Sequence, residues 1–210
     1  MKGGRMGRTG AIRKEPDGHR VREKIYSAAA RVFARKGYAT ATVREIVKMA
    51  GVTKPALYYY FGSKEGVYRT ILETGFRDFE TRVHAVEKMK GRASVRLRRL
   101  CHELYSISHE HLDAVRLMHS IYYGPPQGAP FFDFDRALFR FHDAVGKIVR
   151  QGLRSGEFRG NPEAMTLAVL GACNECIDLE LVHPELAVDG AGFGRVLDVV
   201  LRGMERKDGR

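Results

Sequence analysis

Residues 42–65, TVREIVKMAGVTKPALYYYFGSKE, set two short helical patterns on either side of a single glycine. Thr42 followed by Glu45 has the spacing of a capping box, and Val43, Ile46, Val47 and Ala50 lay one apolar stripe along the helix it opens. Gly51 ends that helix. Thr53 is placed as the N-cap of a second helix, Pro55 suits its first turn, and Leu57 and Phe61 fall on one face. Two helices joined by about three residues form a helix-turn-helix arrangement, in which the first braces and the second presents its outer face.

What that outer face carries is the question. With Leu57 and Phe61 inward, Thr53, Lys54, Ala56, Tyr58, Tyr59 and Tyr60 divide between packing and surface. Adjacent tyrosines cannot share one helical face, so at least one hydroxyl is predicted to be exposed. Phenols, the Lys54 ammonium and the Thr53 hydroxyl can all donate to phosphate oxygens, and the Ala56 methyl can meet a thymine methyl. Lys64, opening the next helix after Ser63, is expected to approach the same backbone from the other side. The alternative is an ordinary three-helix unit whose tyrosines pack.

Charge bears on this choice. The chain of 210 residues carries a net +11, and residues 1–64 hold fifteen basic side chains against four acidic ones, while residues 65–210 are balanced. The excess positive charge is confined to the first third, as expected of a segment that meets a polyanion. Residues 1–18, with Lys2, Arg5, Arg8, Arg13 and Lys14, lack apolar periodicity and are expected to form a flexible basic arm.

Outward from the motif, the pattern is helical throughout. Ile25, Ala29, Val32 and Phe33 precede it on a helix beginning near Val21 and ending at Gly37. Ser63 caps a long helix through Val83, and further helices are expected around 97–107, 112–122, 138–149, 162–183 and 192–206, with a break at GPPQGAP, residues 124–130. The fold class is therefore all-α with about nine helices, divided into 1–18, 19–79 and 80–210. Cys101, Cys173 and Cys176 form no disulfide framework, no secretory signal opens the chain, and the apolar run at 164–173 is too short to cross a bilayer, so a cytoplasmic protein is expected.

The run from 39 to 68, with the preceding AARVFARKGYATAT, resembles the tetracycline-repressor (TetR) family of bacterial transcription regulators. The matching features are the Thr-initiated helix, Ala-Gly-Val at 50–52, the Leu-Tyr-Tyr-X-Phe run at 57–61 and Ser-Lys-Glu at 63–65. The resemblance implies DNA contacts from Thr42, Thr53, Lys54, Tyr58, Tyr59 and Lys64. The family position at Tyr60 is commonly histidine, and that at Pro55 often glycine. It also implies double-stranded operator DNA as partner, a homodimer joined through the last two helices, a small-molecule effector held among the middle helices, and no catalysis.

The remaining residues add detail. The helix at 162–183 is apolar nearly all round, so it requires cover on two sides. Aromatic residues crowd around the Pro-rich loop, and a pocket there suits an apolar or aromatic ligand; Met118, Tyr122, Phe139 and His142 are the candidate lining. No nucleophile–base pair or phosphate loop suggests enzyme chemistry. Cys173-x-x-Cys176 and the histidines at 102, 109, 111 and 119 lack a metal-ligand pattern, so neither metal nor cofactor is expected.

Overall fold

The computed structural model describes residues 16–124 and 128–205. They form α1 (Pro16–Thr40), α2 (Val43–Ala50), α3 (Lys54–Phe61), α4 (Lys64–Lys88), α5 (Ala93–Glu110), α6 (Leu112–Tyr122), α7 (Asp135–Arg154), α8 (Pro162–Val182) and α9 (Gly190–Met204). Among the described residues no strand occurs beyond an isolated Phe158–Glu205 bridge. The all-α expectation holds. Residues 1–15 of the basic arm lie outside the described residues, as do 125–127 of the loop, while 16–18 of the expected arm belong to α1.

Local chemistry explains most boundaries. Thr42 and Glu45 close the capping box, and Gly51 adopts the left-handed conformation (φ 65°) that turns the chain toward α3. Ser63 Oγ accepts from Gly66 N at 2.9 Å to start α4, and Asn161 and Asp189 do the same for α8 and α9. Two details depart from expectation, and a third was not foreseen. Helix α1 begins at Pro16, not near Val21, and continues past a break at Gly37 (φ 75°). Thr53 occupies the N-cap of α3 but makes no capping hydrogen bond. Arg92 leaves α5 uncapped, and the Glu157 carboxylate takes its place, accepting from Ala93 N at 2.7 Å and Ser94 N at 3.0 Å.

Two apolar cores result. One gathers α1–α3 and the first half of α4, including Ile25, Phe33, Ile46, Leu57, Tyr68 and Ile71; the other begins at Phe79 and fills the space among α5, α7, α8 and α9. The boundary drawn between residues 79 and 80 thus falls inside α4, which runs unbroken from one core into the other. Helix α6 crosses the same line. It packs along α1, and its fully buried Leu117 belongs to the N-terminal core.

Polar clamps hold α4 against the C-terminal half. Arg140 of α7 meets Glu87 through two bonds, at 3.0 and 2.6 Å, and Glu80 at 3.2 Å. Buried Arg96 donates to Glu87 O at 3.1 Å and to Gln151, tying the end of α4 to α5 and α7.

Two glycines give opposite tests of this packing. A Cβ at Gly152 would lie 2.2 Å from the ring of buried Phe158, whereas at Gly75, inside α4, it would meet nothing within 4 Å. Gly152→Ala is expected to destabilise the protein by about 1–3 kcal/mol through overpacking. Gly75→Ala is expected to stabilise it by about 0.5–1 kcal/mol through helix propensity. Urea unfolding of both variants measures the two signs.

Candidate nucleic-acid interface and ligand cavity

Helix α3 is anchored by two buried side chains, Leu57 and Phe61, and the Arg22 guanidinium of α1 covers the Phe61 ring at 5.3 Å. The helix shows its opposite side to solvent. Thr53 and Lys54 are exposed, Tyr58 is 49% and Tyr59 82% exposed, and Ala56 is half-buried between them. Among the described residues, nothing engages the side-chain polar atoms of Thr53, Lys54, Tyr58 or Tyr59. Tyr59 meets only the ring of Tyr60, at 4.9 Å. Tyr60 itself turns inward: it packs partly buried on the N-terminal core, its hydroxyl beside Gly18 at the start of α1.

Thr42 and Lys64 are placed differently. The Thr42 hydroxyl accepts from Glu45 N at 3.2 Å and donates to Glu45 Oε2 at 2.9 Å, so the cap uses it fully. The Lys64 ammonium donates to Tyr38 O at 2.9 Å and Ala41 O at 3.0 Å and lies 4.2 Å from the Tyr38 ring centroid. Lys64 therefore closes the broken end of α1 with two of its three N–H groups, where a free phosphate ligand was expected. The reason is Gly37: by interrupting α1 it leaves nearby carbonyls facing the first turn of α4. Beneath them, Tyr38 packs edge-on to fully buried Tyr68, whose phenol burial pushes up to about 12.

A cavity of about 250 Å³ opens between α4, α5, α6, α7 and α8. Met118 and Tyr122 line it as expected. Phe139 and His142 do not: Phe139 is 67% exposed and His142 is exposed, while Leu138 and Phe141 face the cavity in their place. Helical periodicity is the cause. Leu138, Phe141, Val145 and Ile148 form the inner stripe of α7, so positions 139 and 142, one residue on, rotate away by about 100°.

Sequence reasoning missed the α8 contribution, Asn174, Ile177, Asp178 and Leu181. Their three- and four-residue spacing was a legible stripe, obscured by reading that helix for a dimer seam alone. The histidines disperse: His109 pairs with Glu180 at 2.7 Å, His111 with Asp78 at 3.2 Å and His119 with Asp178 at 3.6 Å. Among the described residues no three His, Cys, Asp or Glu groups gather to hold a metal. The three thiols are buried, and the Cys101 thiol is pushed up by its contact with Cys173 and by burial.

Residues 25–71 match the family model described as bacterial regulatory proteins, tetR family. Over this N-terminal domain the chain is similar to the TetR family. Among curated proteins it is 42% identical over 62 residues to the uncharacterized HTH-type transcriptional regulator YdgC of Bacillus subtilis, covering 30% of each chain. It is 33% identical over 72 residues to the HTH-type transcriptional repressor NicS of Pseudomonas putida, covering 34% of this chain and 33% of NicS. The alignments thus span about a third of these relatives' length. Among solved structures, the TetR-family regulator PfmR of Thermus thermophilus superposes with a TM-score of 0.66 at 24% identity, over 87% of this chain and 99% of PfmR. The ketosteroid transcriptional regulator KstR2 of Mycobacterium tuberculosis gives 0.69 at 19% identity, over 89% and 95%. These two establish a shared all-α fold across both halves. No described helix is long and apolar enough to cross a membrane.

The cap of α2 predicts an acid sensitivity. Bonds from Lys36 and then from the Thr42 hydroxyl and amide hold the Glu45 carboxyl at about 2, against an ordinary 4.5. A carboxyl depressed by folding adds stability that is complete above its ordinary value and lost as pH falls from about 4.5 toward 2. Across that window the wild type is expected to lose stability steeply relative to Glu45→Gln, measured by urea unfolding at successive pH values; parallel profiles would contradict the cap's role.

Proposed function

We propose that the chain is a DNA-binding transcriptional regulator, acting as a repressor, that is released from its operator by a small apolar or aromatic molecule. The observation that carries the reading is the outer face of α3: Thr53, Lys54, Tyr58 and Tyr59 lie together, exposed and without internal partners, on the second helix of a helix-turn-helix. Such groups on a solvated helix cost nothing to leave unpaired, and they match phosphate oxygens and base edges in a major groove. The half-buried Ala56 offers a methyl to the same groove. Thr42 and Lys64 serve here as supports of the reading head, positioning α2 and α4. The basic first third supplies a field that draws duplex DNA to this end. NicS, named a transcriptional repressor, supports the sign of regulation.

The same reading takes the protein as a cytoplasmic homodimer. Leu167 and Gly171 of α8 and Val199 of α9 are exposed on the outer side of the last two helices, which supports a two-fold seam through 162–183 and 192–206. Two half-sites about 34 Å apart are then read together. The cavity among the middle helices supports an effector, because it touches α4 and α6, the two helices that also belong to the N-terminal core.

Binding to DNA from the gene's own upstream region, followed by footprinting across a salt series, tests this. Affinity is expected to fall linearly with salt on logarithmic axes. Lys54→Ala should weaken all sequences together and reduce the slope by about one per half-site. An unchanged slope, or weakening confined to one base position, would remove Lys54 from the phosphates; affinity indifferent to salt would overturn the DNA-binding reading.

A further inference from the structure

The cavity's charge is as informative as its shape. Among the described residues lining it there is no lysine or arginine, and Asp178 is the one carboxylate beside His111 and His119. Asp178 is half-exposed, with His119 Nε2 3.6 Å away as its only ionic partner, so it lies toward the mouth while buried Ile107 and Phe141 lie at depth. A second carboxylate stands close by. Asp135 accepts a 2.8 Å hydrogen bond from the Tyr122 hydroxyl, and Tyr122 and Tyr123, rings 4.9 Å apart, both line the cavity. Phe132 and Phe134 continue the aromatic wall, with centroids 5.1 Å apart. Arg136 lies over the ring of the lining residue Phe76 at 4.6 Å, and Glu80, 3.9 Å away, offsets its charge.

Ring faces carry negative charge and attract cations, most strongly where water is partly excluded, and carboxylates at the rim add to the same field. An anionic head group would enter against both and find no lysine or arginine among the lining residues, only His111 and His119, each already set against a carboxylate, Asp78 and Asp178. We propose that the cavity takes a lipophilic cation, its apolar body among α4, α5 and α7 and its single ammonium head between Asp178 and the tyrosines at the mouth. This rests on the cavity being the ligand site and specifies the chemical class that it selects.

Calorimetric titration of the full chain with 4-phenylbutyltrimethylammonium, 4-phenylbutanol and 4-phenylbutyrate separates the two levels. The ammonium compound is expected to bind about tenfold or more tightly than the carboxylate. Asp178→Asn should weaken the ammonium compound about tenfold and change the alcohol less than twofold. Equal affinity for ammonium and carboxylate, or an ammonium affinity unaffected by Asp178→Asn, would overturn the proposed class while leaving the cavity as a ligand site. Gly75→Leu, which grows a side chain into open space on the cavity wall, should abolish binding of all three. Binding that survives Gly75→Leu, or no binding of any probe to the wild type, would overturn the cavity site itself.

Discussion

One helix shared by two cores governs this molecule. Helix α4 gives Val67, Tyr68, Ile71 and Leu72 to the N-terminal core and Phe79, Val83 and Val86 to the C-terminal one, without a break in its backbone. A helix of 25 residues kinks sharply only where its hydrogen bonds are interrupted, and α4 has no such break, so rotation at one end is transmitted to the other. The exposed face of α3 is therefore aimed by a strut that the C-terminal half holds, through Arg140, Arg96 and the apolar stripe beneath them. Helix α6 adds a second connection. With Leu117 in the N-terminal core and Met118 and Tyr122 on the cavity, consecutive residues of one helix touch both parts of the molecule.

This arrangement puts a simple thermodynamic condition on any effector. A molecule that fills the cavity equally well in both orientations of α4 and α6 changes nothing, however tightly it binds. Release from DNA requires that the cavity's occupied shape be the one in which α3 is displaced, and by linkage bound DNA must then weaken the effector by the same factor. Close-packed helix interfaces such as those around the cavity shift between discrete arrangements and do not deform continuously, which is how such a difference arises.

Much of this was legible in the residues. The helices, the capping box at Thr42 and Glu45, the turn at Gly51 and the exposed tyrosines follow from local rules: period, caps and steric freedom act within a few residues. What depended on chain segments meeting at a distance was not legible. Lys64 reads as a free cation until the break at Gly37 brings the carbonyls of Tyr38 and Ala41 to it, from 26 and 23 residues away. Phe139 and His142 were drawn into the pocket by their chemistry, although the period of α7 already turned them outward. The part of α6 in the N-terminal core rests on tertiary packing, whereas the α8 stripe at 174–181 was legible in its spacing and was passed over.

The central claim is that the helix-turn-helix is held by the C-terminal half through α4 and α6, and Leu117 tests it most directly. Leu117→Ala removes a fully buried side chain from the N-terminal core, at an expected cost of about 2–5 kcal/mol. Native-state hydrogen exchange then reports where that loss is felt. The amides of Ile46 and Gly62, bonded to Thr42 O and Tyr58 O, are expected to lose protection together with those of α6. Loss of protection confined to α6, with Ile46 and Gly62 unchanged, would show that the helix-turn-helix unit stands on its own and contradict the claim.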